Sequence, residues 1–173
     1  MDTIIVEKTK YQQEHYELFK WALKAIAKKP TNYLNTVWIG KNRVACTDGH
    51  RVHIFRHDRT YEPGVYDVKS VSAKSIVLQK NTIGFTYPDI SRVIPRGKKE
   101  DRIFVNEREC NSGSSYTQVV RKMEENLTVN YDYFDDCVTA GEWKITIIPK
   151  SNILYFRNCN KSAVIMPAVM PKV

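Results

Sequence analysis

From Gln13 to Lys29 the apolar residues Tyr16, Phe19, Leu23 and Ile26 recur at steps of three and four, the period of one helical face. Pro30 follows directly. Proline pushes the residue before it out of the helical region, so the spacing predicts a helix that stops there. Ahead of it, residues 3–7 read as a short strand. Behind it the pattern changes to short strands. Leu34–Ile39, Arg43–Thr47 and Arg51–Arg56 are predicted strands, separated by the turn signals Gly40-Lys41-Asn42 and Asp48-Gly49. Pro63-Gly64 leads into a further short strand within Tyr61–Val68, and Ser75–Gln79 and Thr82–Thr86 predict two more.

Composition shifts after Pro95. Arg96, Lys98, Lys99, Glu100, Asp101 and Arg102 are followed by Asn111-Ser112-Gly113-Ser114-Ser115, so residues 96–126 read as a polar insertion or linker. A strand at Ile103–Asn106 and a helical turn at Thr117–Glu124 are the elements it could carry. Order then returns: a strand at Leu127–Asn130, a short helix at Tyr131–Ala140 ended by Gly141, and strands at Lys144–Ile148, Ile153–Arg157 and Ala163–Val169. The order strand, helix, three strands thus occurs near the start and again near the end. The predicted class is α+β, with two β-α-β-β-β halves, antiparallel sheets and the helices on one sheet face. Residues 1–95 and 127–173 would together form one domain around the insertion.

The length of 173 residues suits one domain with a proper core and is marginal for two. No apolar run approaches the roughly 20 residues that cross a bilayer. The N-terminus lacks a basic region followed by a long apolar one, so no signal peptide is read and the cytoplasm is the expected compartment. Cys46, Cys110, Cys137 and Cys159 are scattered without a C-x-x-C pair and read as free thiols. The net charge of +8 draws the chain toward polyanions, of which nucleic acid is the commonest.

Three stretches carry more. They are Ala45-Cys46-Thr47-Asp48-Gly49-His50-Arg51-Val52, then Tyr87-Pro88-Asp89-Ile90-Ser91-Arg92-Val93-Ile94-Pro95, then Ser162-Ala163-Val164-Ile165-Met166-Pro167. In this order they resemble signatures of the bacterial DNA sliding clamp, the β subunit of the replicative DNA polymerase. Clamp subunits are built from domains of two β-α-β-β-β halves, so the resemblance implies a reduced form: a front half from one domain joined to a back half from another, the alternative being that the middle holds a second, degenerate domain. It implies a non-enzymatic processivity factor with no cofactor. Rings of the family are closed by several such domains, so a one-domain chain would have to assemble from several copies as a homo-oligomer.

The resemblance also implies a groove for short peptides of polymerases and other replication proteins, with a Gln and Leu and Phe anchors. Its residues here would be Thr47, Gly49, His50, Arg51 and Val52, then Pro88, Arg92 and Val93, then Val164, Met166 and Pro167. Val52, Val93, Val164 and Met166 suit an apolar pocket, and Met adapts to anchors of different shape. Thr47, His50, Arg51 and Arg92 suit a polar rim. The bland alternative is that the valines are strand core and Thr47–His50 only a hairpin turn. Ala168 stands where the family usually has a second Met, which would shallow the pocket.

Duplex DNA would be met by helices. Lys20, Lys24 and Lys28 repeat every four residues and form one stripe, fit for phosphates without reading sequence. A solvated helix face is the competing reading. Arg96, Lys98 and Lys99 add charge nearby, whereas Asp132, Asp135 and Asp136 on the second helix would repel phosphate. Cys46, His50, His53 and His57 lie close in sequence, but strand alternation sends His50 and His53 to opposite sides, and their spacing fits no zinc pattern. Asp48 and His50 beside Cys46 could suggest acid–base or thiol chemistry. Yet there is no Gly-rich phosphate loop, carboxylate cluster or nucleophile elbow, so no catalytic activity is expected. The main alternative is a stand-alone peptide-binding module that competes for clamp partners without encircling DNA. A small metal-dependent nuclease is a more distant one.

Overall fold

The computed structural model describes residues 3–27, 32–84, 86–95, 103–107, 112–123, 127–138, 143–148 and 153–169. The chain divides into two compact units, Met1–Asp89 and Ile90–Val173. The strand pairs within each unit are antiparallel, and with the helices among the described residues the class is α+β, as the pattern predicted.

The first unit runs β1 (Thr3–Glu7), α1 (Gln13–Leu23), β2 (Thr36–Ile39), β3 (Arg43–Thr47), β4 (Arg51–Arg56), β5 (Gly64–Val71) and β6 (Ser75–Lys80). Its strands lie in the order β1-β6-β5-β2-β3-β4. The first strand therefore pairs with the last of the unit, Ile5 opposite Val77, and not with its sequence neighbour β2. Helix α1 covers one sheet face. Phe19 meets Phe55 edge to face at 5.0 Å, and Trp21 stacks on His53 at 4.4 Å. His15, Tyr16, Leu18, Phe19, Trp21, Ala22 and Leu23 are all buried, a wider stripe than the four positions whose spacing predicts the helix. The face is wide because the helix packs on β1, β3, β4 and β6 at once.

The second unit runs β7 (Ile103–Glu107), α2 (Ser112–Val120), β8 (Leu127–Thr128), α3 (Tyr131–Cys137), β9 (Trp143–Ile148), β10 (Ile153–Arg157), β11 (Lys161–Ile165) and β12 (Ala168–Val169). Its main sheet has the order β11-β10-β9-β7, and β12 pairs with β8 in a separate ribbon. The Asn130 side chain caps α3 by accepting from the backbone N–H groups of Asp132 and Tyr133, at 2.8 and 3.3 Å. Phe134 of α3 then packs edge to face on Phe156 of β10 at 5.2 Å.

Several expected boundaries are corrected. Helix α1 ends at Leu23, not Lys29: the N–H groups of Lys24, Ala25 and Ile26 reach back only three residues, and Ala27 N–H bonds to the Leu34 carbonyl. The expected strand Leu34–Ile39 begins at Thr36, after a 3-10 turn at Asn32–Asn35. The described part of the expected strand Thr82–Thr86 forms no strand. Ala163–Val169 is two strands, because Pro167 has no N–H to continue a ladder. Within residues 96–126, β7 extends the main sheet beside β9, and α2 starts at Ser112 and buries Val119, with Met123 buried just beyond it.

Candidate functional site

The hairpin joining β3 to β4 is built by its own side chains. Thr47 pairs with Val52 across the strands, and the loop between them turns at Gly49, whose φ is +91°. Only glycine adopts that region without strain, although a methyl there would find space, 3.7 Å from Leu34 Cδ1. The Thr47 hydroxyl donates to the Arg51 carbonyl at 2.6 Å and accepts from Gly49 N–H at 3.1 Å. Asp48 Oδ1 accepts from the N–H groups of His50 and Arg51, at 2.9 and 3.0 Å. These bonds satisfy the polar backbone of the turn locally and hold its shape.

Arg51 does something the sequence did not reveal. Its guanidinium is buried, donates from Nε to Asp48 Oδ2 at 3.0 Å, and donates from a terminal nitrogen to the Lys24 carbonyl. That carbonyl lies at the C-terminal end of α1, where acceptors lack helical partners and a cation is favoured. Arg51 thus ties the hairpin to the helix, and its charged end is directed into the unit. His50 is exposed. Val52 and Thr47 are buried on the sheet face opposite α1, since His53 and Phe55 on the alternate positions of β4 meet the helix.

Tyr87 reaches the same hairpin. It is buried, and its hydroxyl donates to the Ala45 carbonyl of β3 at 3.3 Å. Burial pushes the Tyr87 phenol well above its ordinary range. Tyr87 therefore anchors the segment that carries the half-buried Pro88. In the second unit, exposed Arg92 ends a 3-10 turn and Val93 closes it, with its N–H bonded to the Ile90 carbonyl at 3.3 Å. Val164 is buried opposite Tyr155, Met166 is 39% exposed, and Pro167 is half-buried between β11 and β12. The structure thus groups Thr47, Gly49, His50, Arg51 and Val52 in one hairpin, and Val164, Met166 and Pro167 in one strand end.

On α1, Lys20 and Lys24 are exposed as the periodicity predicted, but Glu17 shares their stripe and is bridged by Lys8 at 3.1 Å. The exposed face is therefore mixed in sign. Lys28, Arg96, Lys98 and Lys99 lie outside the described residues. Cys46 and His53 face each other across β3 and β4, yet the His53 ring is stacked on Trp21 and its Nδ1–H donates to the Trp21 carbonyl at 3.0 Å. Burial also drives the Cys46 thiol far above its ordinary range, away from the thiolate a metal or nucleophile role needs. No three His, Cys, Asp or Glu side chains converge as a metal site among the described residues.

No protein-family model matches the chain, and no curated protein sequence matches it. Solved structures do. The β subunit of DNA polymerase III from Pseudomonas aeruginosa superposes with a TM-score of 0.62 at 13% identity, covering 97% of this chain and 66% of that one. The β subunit from Thermotoga maritima gives 0.61 at 14%, covering 99% and 66%. A sliding clamp from Bartonella birtlesii bound to griselimycin gives 0.61 at 16%, covering 96% and 66%. The chain has the fold of these bacterial sliding clamps in a divergent sequence, and it spans just under two thirds of their length.

Proposed function

We propose that this chain is a clamp-like docking platform for replication proteins, without catalytic activity, that binds short peptide motifs and touches duplex DNA without reading its sequence. The observation that carries this reading is the clamp fold over nearly the whole chain. The three signature stretches support it, because all three are retained at low overall identity. Val52, Val93, Val164 and Met166 would receive the Leu and Phe anchors of a Gln-Leu-x-Leu-Phe-type peptide, with Thr47, Gly49, Pro88 and Pro167 shaping the walls and His50 and Arg92 at the rim. Arg51 acts from behind, by holding the hairpin against α1. Burying one such anchor is worth roughly 1.5–3 kcal/mol.

Titration calorimetry tests the groove. The peptide should bind, and a version with its Leu and Phe changed to Ala should not. Met166→Asp or Val93→Asp should abolish binding. Equal binding of both peptides, or none to a folded protein, would leave the motifs as features of the fold alone. The second reading, a peptide-binding module that does not encircle DNA, is favoured by the mixed charge of α1 and by exposed Asp132 and Asp135 on α3, which repel phosphate.

A further inference from the structure

On the sheet face away from α1, Arg43 of β3 lies directly opposite Arg56 of β4. Both are exposed, and neither forms an ion pair among the described residues. Like charges placed directly across an antiparallel pair repel and cost stability. The row they occupy continues to Gly40, whose N–H bonds to the Arg43 carbonyl at 2.8 Å. Gly40 has no side chain, and the indole of Trp38 lies over it: a methyl at Gly40 would fall 2.5 Å from Trp38 Cη2. The partly exposed ring is thereby laid into the row of the two arginines, with Lys41 exposed in the adjoining turn.

The second unit also places two cations in register. Lys144 of β9 is opposite Arg157 of β10, both exposed, on the face away from α3, since Phe156 is the residue that meets Phe134. Tyr155, partly exposed, sits two residues before Arg157 on that same face. Each unit therefore carries a pair of cations in register, with an aromatic residue on the same strand face, away from α1 in the first unit and from α3 in the second.

We propose that this face of the first unit binds single-stranded nucleic acid. Adjacent cations neutralise successive phosphates, and an aromatic ring beside them offers a surface on which an unpaired base stacks. An acidic peptide would use the cations but would have no use for the indole over Gly40. Duplex DNA keeps its bases stacked inside and would leave the ring idle.

The test is fluorescence anisotropy of a labelled thymidine oligonucleotide titrated with the full chain. Arg43→Glu and Arg56→Glu should each weaken binding at least tenfold and flatten its salt dependence. Either single change also turns a repulsive pair into an attractive one, so the thermal midpoint should hold or rise. Trp38→Leu should weaken binding severalfold while leaving the salt slope unchanged. Lys20→Glu with Lys24→Glu, on the opposite face, should leave this binding unaltered, which separates it from any duplex binding by α1. Full binding in the Arg43→Glu/Arg56→Glu double variant overturns the proposal. Equal binding of Trp38→Leu, or competition by polyglutamate as effective as by the oligonucleotide, overturns it in favour of a charge-only surface. Should a Glu variant fail to fold, Arg43→Gln and Arg56→Gln make the same test.

Discussion

Arg51 and His50 are neighbours in one turn, and the structure assigns them different work. Arg51 is 4% exposed and holds both Asp48 and the end of α1, whereas the His50 side chain is exposed. Arg51→Ala would leave a carboxylate and a helix-end carbonyl without that donor, a loss of about 2–3 kcal/mol in urea unfolding. His50→Ala should change stability by less than about 0.5 kcal/mol and show its effect only in peptide affinity. A second residue-scale expectation concerns His15, which lies against Phe19, Phe55 and Tyr61 with Nε2 2.5 Å from the Tyr61 hydroxyl. Burial, then the charges of Arg59 and His57, lower its pKa from 6.5 to about 4, against a smaller opposing effect of Asp58. The folded protein keeps His15 neutral where the unfolded chain would protonate it. Its contribution is therefore complete above pH 6.5 and is lost as the pH falls toward 4. At about 1.4 kcal/mol per pH unit the loss approaches about 3 kcal/mol. Urea unfolding of the protein and of His15→Gln at about pH 7 and about pH 4.5 checks it: the variant should lose distinctly less stability on acidification.

At the scale of the element, α1 is two faces with different jobs. Its buried side meets four strands at once. Its exposed side carries Lys20 and Lys24 toward the C-terminal end and Glu17 a turn earlier, already held by Lys8. If this face meets duplex DNA, changing Lys20 and Lys24 to Glu should weaken every duplex alike. The slope of log K against log salt should fall by about one for each phosphate no longer neutralised. Filter binding at two or more salt concentrations decides this. A drop confined to one sequence, or no drop, would remove α1 from the DNA-binding reading. The mixed charge of the stripe sets the expected affinity low.

For the whole molecule, the question is assembly. The chain covers 66% of each of the solved clamps it resembles. Light scattering on the purified chain distinguishes the two functional readings: encirclement of DNA expects an oligomer of several protomers, and a stand-alone docking module expects a monomer. Peptide binding is expected in either case, so a monomeric mass would sink only the ring.

Much of this was legible along the chain because it is local. The three-and-four spacing of Tyr16, Phe19 and Leu23 dictates a buried helical face wherever that helix docks, and Asp48-Gly49 dictates a turn because glycine alone accepts the φ of +91° at no cost. The strands of both ends follow from the same short-range pattern, and the three signature stretches carried the fold resemblance. Partner choice is not local. A period of two says that β1 is a strand but not that its edge meets β6 instead of β2, since both offer the same backbone groups. The helical turn read at Thr117–Glu124 contains Val119 and Met123, which fold into the core, but the start of α2 at Ser112 was hidden by the polar run Asn111–Ser115. The direction of a long polar side chain is decided last. Arg51 could have faced solvent on its sequence alone, and it points inward because folding places the Lys24 carbonyl at the end of α1 within its reach.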